Sequence, residues 1–292
     1  MSRTVAMQVA KQFNGHVSHV SPNHVMLPET LHELSRMDGD DVVAMEARHT
    51  TLVNDMMAAY GYHSDTWSED KPFAYADGVA FIPVFGMLLN RYRWAWSGAT
   101  GYDYIAYMLQ AAREDDDVKL IVLDINSGGG QAAGVHELAE TMREVREEKP
   151  ILAVVDHHAF SAAYWLASSA SHITLTPTGM TGSIGALIMH FDYSAMLEDV
   201  GIKIKFIHAG KHKVDGNQFE PLGADAEAKL QHIVDESRRM FVESVAIGRN
   251  MSTDVIYATE AMIYTADDAL EYGLIDEIAP AQKALRNYLD SV

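Results

Sequence analysis

The chain contains no cysteine, which excludes disulfide scaffolds, thiol nucleophiles and cysteine-ligated zinc together. That absence fits a reducing compartment. Positive charge is scarce: 22 Lys and Arg stand against 41 Asp and Glu, a formal net charge of −19 over 292 residues. A surface so acidic repels phosphate backbones and anionic lipid, so neither nucleic acid nor a membrane surface is an expected partner. No stretch approaches the roughly 18 apolar residues that a membrane span requires. The opening residues, MSRTVAMQVAKQFNGHVSHVSP, lack the apolar core and small-residue cleavage site of a secretory signal, and a cytoplasmic location is expected. What remains is an ordinary globular composition, 48% hydrophobic and 22% charged, long enough for one large domain or two modest ones.

Residues 1–75 differ from the rest. Apolar residues are scattered and interrupted by Gly, Pro, Asp and His, with helices expected only at Leu31–Met37 and about Asp41–Tyr60. This part reads as a helical arm or extension, and residues 76–292 as the main domain. From Val79 the pattern becomes regular. Val79–Phe85 is an apolar strand in which Pro83 requires an edge position or a bulge. Helices follow at Tyr102–Arg113, Val135–Glu148 and Ser161–Ala170, alternating with strands at Val118–Ile125, Ile151–Val155 and Ile173–Thr176. Further strands are expected at Ile184–Met189 and Ile202–Ile207, flanking a helix at Tyr193–Val200. This alternation predicts an α/β fold with a mainly parallel sheet and flanking helices. The C-terminal part is helical: a long amphipathic helix from Asp225 to Asn250, a short one capped by Thr265 and ended by Gly273, and a last strand at Leu274–Ile278.

Three segments at the C-terminal ends of expected strands carry candidate chemistry, because ligands of open α/β sheets bind at that edge. Asn126-Ser127-Gly128-Gly129-Gly130 is a glycine-rich exit from a buried strand. It reads as a flexible turn, a phosphate cradle or an oxyanion hole, and the phosphate reading lacks both the G-x-G-x-x-G spacing and a P-loop lysine. Ser161 opens a helix after a strand, placed as a nucleophile with the free first-turn N–H of Ala162 beside it; a plain N-cap is the ordinary alternative. The loop Gly210–Asn217 holds Lys211 and Lys213, which read as surface charge or as a base. A lysine base must be neutral, so its ordinary pKa of about 10.4 has to be lowered by burial.

Together these segments resemble the signal peptide peptidase A family of serine–lysine peptidases. The resemblance rests on DINSGGG (124–130), AFSAAYWLASSAS (159–171), TGMTGSIGAL (178–187) and GKHKVDGN (210–217), four motifs in the family's order. GKHKVDGN followed by a long helix containing SRRMFVESVA points to the bacteriophage capsid assembly protease branch. The resemblance spans about residues 77–280 and implies a crotonase-like (ClpP/signal peptide peptidase) fold. By position it makes Ser161 the nucleophile and Lys213 the base, with Ala162 and a glycine, Gly130 ahead of Gly129, donating to the oxyanion. Gly128 departs from the proline common in the family. The implied function is a serine endopeptidase that cleaves scaffold, portal or itself inside the procapsid in the host cytoplasm. It needs no cofactor or metal, and it works in a ring of identical subunits.

Other readings make different demands. A ClpP-like Ser-His-Asp peptidase uses His190, 29 residues after Ser161, and leaves GKHKVDGN unexplained. An acyl-CoA enzyme shares the glycine segment but needs basic residues for the CoA phosphates. A shell or scaffold protein needs neither Ser161 nor Lys213. The His157-His158 and His208/His212 pairs lack a carboxylate at zincin spacing and read as surface histidines. For the peptidase, Phe85, Met87 and Leu88 are expected to line an apolar pocket with room left by Ala162 and Ala163. Substrate would bind extended along the strand edge, with a small or apolar residue before the cut and acidic residues disfavoured.

Overall fold

The computed structural model describes residues 18–20, 42–63 and 71–291; the expected helix at Leu31–Met37 lies outside them. In chain order the elements are β1 (Ser18–Val20), α1 (Val42–Ala59), β2 (Ala74–Ala76), β3 (Val79–Leu89), β4 (Ala95–Trp96), β5 (Ala99–Gly101) and α2 (Tyr102–Glu114). There follow β6 (Leu120–Gln131), α3 (Val135–Arg146), β7 (Ile151–Phe160), α4 (Ala162–Ser168), β8 (His172–Leu175), β9 (Met180–Gly182) and α5 (Ser194–Asp199). The chain continues through α6 (Ala224–Arg249), α7 (Thr253–Tyr257), β10 (Ile263–Thr265), α8 (Ala266–Glu271), β11 (Glu277–Ile278) and α9 (Ala281–Ser291).

One sheet runs in the order β10-β9-β7-β6-β3-β5-β4, with β1 added to β6, β2 to β3, and β8 and β11 beyond β7. Its central pairs, β3–β6 and β6–β7, are parallel. Strand alternation divides the core between the two faces. Ile121, Leu123 and Ile125 of β6 pack with Ile105 of α2, Leu138 of α3, Trp165 of α4 and Phe241 of α6. Leu120 and Val122 point the other way, against Met56 and Met57 of α1 and Leu285 of α9. The result is a mixed α/β fold with a mostly parallel sheet and helices on both faces.

Local chemistry explains several boundaries. Pro83 sits inside β3, but on the side away from β6 it falls in a gap between the residues that pair with β2 (Val79–Phe81) and those that pair with β5 (Met87–Leu89). The missing N–H therefore costs no ladder bond. Gly86 has φ +64, and a Cβ there would lie 2.2 Å from the Gly98 carbonyl carbon. Only glycine fits, and the β3–β6 register shifts between Phe85 and Met87. Thr265 caps α8 by accepting from the Asp268 N–H at 3.3 Å.

Four expectations are corrected. Ile184–Met189 and Ile202–Ile207 form no strand: the described elements pass from β9 to α5 and from α5 to α6. The alternation of IKIKFI marks a face that needs cover, and among the described residues no neighbouring strand supplies it. Ile202, Ile204 and Ile207 are left 52%, 41% and 94% exposed. Leu274–Ile278 shrinks to Glu277–Ile278. The glycine segment 126–130 is no turn but the last part of β6.

At its C-terminal end the α1/α9 face becomes acidic. Asp124 of β6 is 3% exposed, and among the described residues neither its Oδ1 nor the hydroxyl of buried Tyr60 has a hydrogen-bond partner. Burial, with the charge of Asp156 adding to it, pushes the Asp124 carboxyl well above the usual carboxylate range. An acid whose folded pKa is raised loses stability as pH climbs from its unfolded value near 4 toward the folded one. Asp124→Asn is therefore expected to be more stable than the parent at about pH 8, by roughly 1 kcal/mol or more, since each unit by which the folded pKa is raised costs the ionising parent about 1.4 kcal/mol. At about pH 4.5 the difference should shrink toward zero. Urea midpoints at the two pH values check this; a parent that gains on the variant as pH rises would mean that Asp124 is paired and ionised.

Candidate active site

β7 runs through Asp156–Phe160, paired with β9 from His158↔Met180 to Phe160↔Gly182, and delivers Ser161 to the start of α4. Ser161 has φ +54 and ψ −121, a conformation that non-glycine residues rarely adopt. It is held from both sides: its N–H donates to the Gly182 carbonyl at 2.9 Å, and its carbonyl accepts from the Trp165 N–H at 2.9 Å. The side chain makes no cap bond to α4. Its hydroxyl lies 3.4 Å from the Gly185 carbonyl oxygen, and the residue is 1% exposed. The ordinary N-cap role is thus not the one this serine performs. The neighbouring Ala162 N–H, at the first helical position, finds no acceptor among the described residues.

The end of β6 lies beside this junction, with Ser127 opposite Ala159. Ser127 is fully buried and acts as a clamp: its hydroxyl donates to the Gly86 carbonyl at 2.6 Å and accepts from the Gly129 N–H at 3.1 Å. The Gly129 N–H is therefore already engaged. Gly130 packs on β3 so closely that a Cβ would sit 2.0 Å from the Leu88 carbonyl oxygen. The signal for Ser127 was present in the motif, but its role depends on the β3 bulge, which the sequence does not display.

A cavity of about 510 Å³ abuts Gly128 and Gly129. Phe85 and Met87 line it, with Leu52 and Met56 of α1 contributing apolar surface. Its lining also includes Asp124, Asn126 and Asp156, and the Asn126 Oδ1 is buried without a partner among the described residues. The cavity is thus not the purely apolar pocket expected. Leu88 does not line it: this side chain is fully buried in the main core, because consecutive strand residues point to opposite faces. Ala162 and Ala163 are likewise packed in that core, fully buried, and leave no room for substrate. Ser161 is not a lining residue.

Among the described residues Lys213 shares no hydrogen bond with Ser161. It is exposed in the loop after residue 210, and its side chain has no hydrogen-bond or ion-pair partner among the described residues. Its neighbours are engaged: Lys211 lies 3.4 Å from Asp225, and His212 Nδ1 lies 2.8 Å from Asp215 Oδ2. Among the described residues His190 has a buried Nε2 without a partner and shares no hydrogen bond with Ser161. His157 lies 3.3 Å from its neighbour Asp156, and His158 stacks on Phe160. No described helix is long and apolar enough to cross a membrane.

Comparison with known proteins adds to this geometry. The model of peptidase family S49 matches residues 143–290, a span that holds both Ser161 and Lys213. The chain is 40% identical over 217 residues to the head-tail preconnector protein GP5 of Enterobacteria phage P21, covering 74% of this chain and 43% of that protein. It is 35% identical over 258 residues to the capsid assembly protease C of Escherichia phage lambda, covering 88% of this chain and 57% of that protein. A putative signal peptide peptidase SppA of Enterococcus faecium is 29% identical over 249 residues, covering 82% of this chain and 71% of that protein. The chain spans about half the length of the two phage relatives. With the family model matching half of its residues, this chain belongs to peptidase family S49.

Proposed function

We propose that the chain is a serine endopeptidase of phage capsid maturation, acting on scaffold, portal or its own chain inside the procapsid in the host. The observation that carries this reading is Ser161: a strained serine at a strand–helix junction, relieved of capping duty, beside a glycine-rich strand end. The reading includes a crotonase-like fold, with residues 1–75 as an arm and 76–292 as the peptidase domain. The names of the phage relatives support the setting in capsid assembly.

In the mechanism, neutral Lys213 takes the proton from the Ser161 hydroxyl as Oγ attacks the scissile carbonyl. The Ala162 N–H and that of Gly130 donate to the oxyanion, Gly129 being second choice because Ser127 already accepts its N–H. The C–N bond then breaks, the leaving amine takes the proton held by the lysine, and water hydrolyses the acyl-enzyme. The base must lose its charge, which burial away from counter-charge favours. Packing of identical subunits in a ring would supply that burial. Exposed Ile202, Ile204 and Ile207, just ahead of the lysine loop, offer the apolar surface to be covered.

Ser161→Ala is expected to abolish cleavage of the cognate scaffold, by at least about a thousandfold, with circular dichroism and oligomer size unchanged. Mass spectrometry of the products reads this directly, and undiminished cleavage would remove Ser161 from the mechanism.

Lys213→Ala should be as inactive, while Lys211→Ala keeps at least part of the parent activity. The parent's rate should rise with pH, since only the neutral amine accepts a proton. The reverse pattern in the two variants would move the base to Lys211. A dead His190→Ala with an active Lys213→Ala would favour the His triad instead.

A further inference from the structure

The strand edge beside the candidate nucleophile is already filled, and by this chain itself. β6 keeps β7 as a neighbour as far as Ser127↔Ala159. β7 then runs on to Phe160 and hands the chain to Ser161. On the other side of β6, β3 stays paired through Met87↔Gly129 and Leu88↔Gly130. A strand has two edges, so this leaves Gly129 and Gly130 with one free edge, the side from which β7 departs. β1 occupies it in antiparallel register: Ser18↔Gln131, His19↔Gly130 and Val20↔Gly129. A second observation agrees with a closed site, since Ser161 is only 1% exposed.

We propose that residues 18–20 are an intramolecular occupant of the strand position that a protein substrate takes, and that they keep the site shut until displaced. The inference rests on the reading of Ser161 as nucleophile. An extended peptide docks on a sheet edge through main-chain hydrogen bonds, and the edge of Gly129–Gln131 accepts one strand at a time. β1 and a substrate strand therefore exclude each other. Because β1 is tethered, it competes at an effective concentration on the order of millimolar, enough to suppress action on dilute proteins. Its ladder is only three residues long, short enough to yield to a substrate crowded at higher local concentration within a shell. The device makes activity depend on confinement.

The test uses the full chain and two variants, His19→Pro with Val20→Pro, and Ser18→Gly with His19→Gly and Val20→Gly. Circular dichroism establishes that each is folded, and the glycine variant stands in if the proline variant is not. Hydrogen exchange at the amides of Gly130 and Gln131 and the rate of fluorophosphonate labelling at Ser161 are then measured. Both are expected to rise about tenfold, because a strand that leaves the edge no longer protects its amides. A synthetic peptide of residues 14–24, added in trans, should reverse both. Unchanged exchange in a folded variant would show that β1 is not the occupant. Faster exchange with labelling within about twofold of the parent would show that occupancy does not close the site. If Ser161 labels in no form of the protein, the nucleophile reading fails, and with it the gating proposal, while the exchange data still report whether β1 holds the edge.

Discussion

Between β3 and β6 two backbones meet with no side chain between them, and the candidate site is organised around that approach. A Cβ on Gly130 would lie 2.0 Å from the Leu88 carbonyl oxygen, and one on Gly86 would lie 2.2 Å from the Gly98 carbonyl carbon. Neither position admits another residue without moving main chain. The approach lets β6 continue as a strand to Gln131, where the periodicity alone ends it at Ile125. Ser127 locks the arrangement by bonding both Gly86 and Gly129. From this follow the β3 bulge, the side chains that face the cavity and the single open edge that β1 fills.

The serine junction depends on the same frame from the other side. A non-glycine residue in the Ser161 conformation costs about 1–3 kcal/mol, so the surroundings must hold it. The Gly182 carbonyl fixes its amide, and every residue of α4 is buried. Trp165 in that helix stacks on Phe241 of α6 at 4.5 Å, and its Nε1–H donates to the Ser244 hydroxyl at 2.6 Å. The long C-terminal helix thus serves the site indirectly. It anchors α4 so that the strain at Ser161 is kept rather than relaxed.

Two features of the chain look outward. The cavity beside the glycine strand carries a buried carboxyl, Asp124, and an Asn126 oxygen unpartnered among the described residues, so its polarity departs from the apolar pocket that Phe85, Met87 and Leu88 suggested. The segment from Ile202 to Ile207 exposes alternating apolar side chains just before the loop that holds Lys213. Contiguous exposed apolar surface of this kind marks a place where another surface packs. The Ser161 junction is packed into the core, whereas the loop that holds Lys213 stands on the part with the least cover.

Fold class was legible because hydrophobic periodicity is a local property. The runs at Val118–Ile125 and Ile151–Val155, with 3.6-residue patterns between and after them, are enough to specify alternating strands and helices on a mainly parallel sheet. The motif spacing likewise marked Ser161, Ala162 and the glycines as one constellation. Local pattern could not say that the glycine segment is strand rather than turn, since that rests on the backbone contact with Leu88. Nor could it place Leu88, Ala162 and Ala163 in the core, orient Asp124 into a cavity, or withhold strand partners from IKIKFI. Each of these depends on what lies across from a residue, sometimes more than a hundred positions away. The most consequential is the pairing of Val20 with Gly129: three residues without a strong pattern of their own acquire a place only because β3 and β7 leave one backbone edge unfilled.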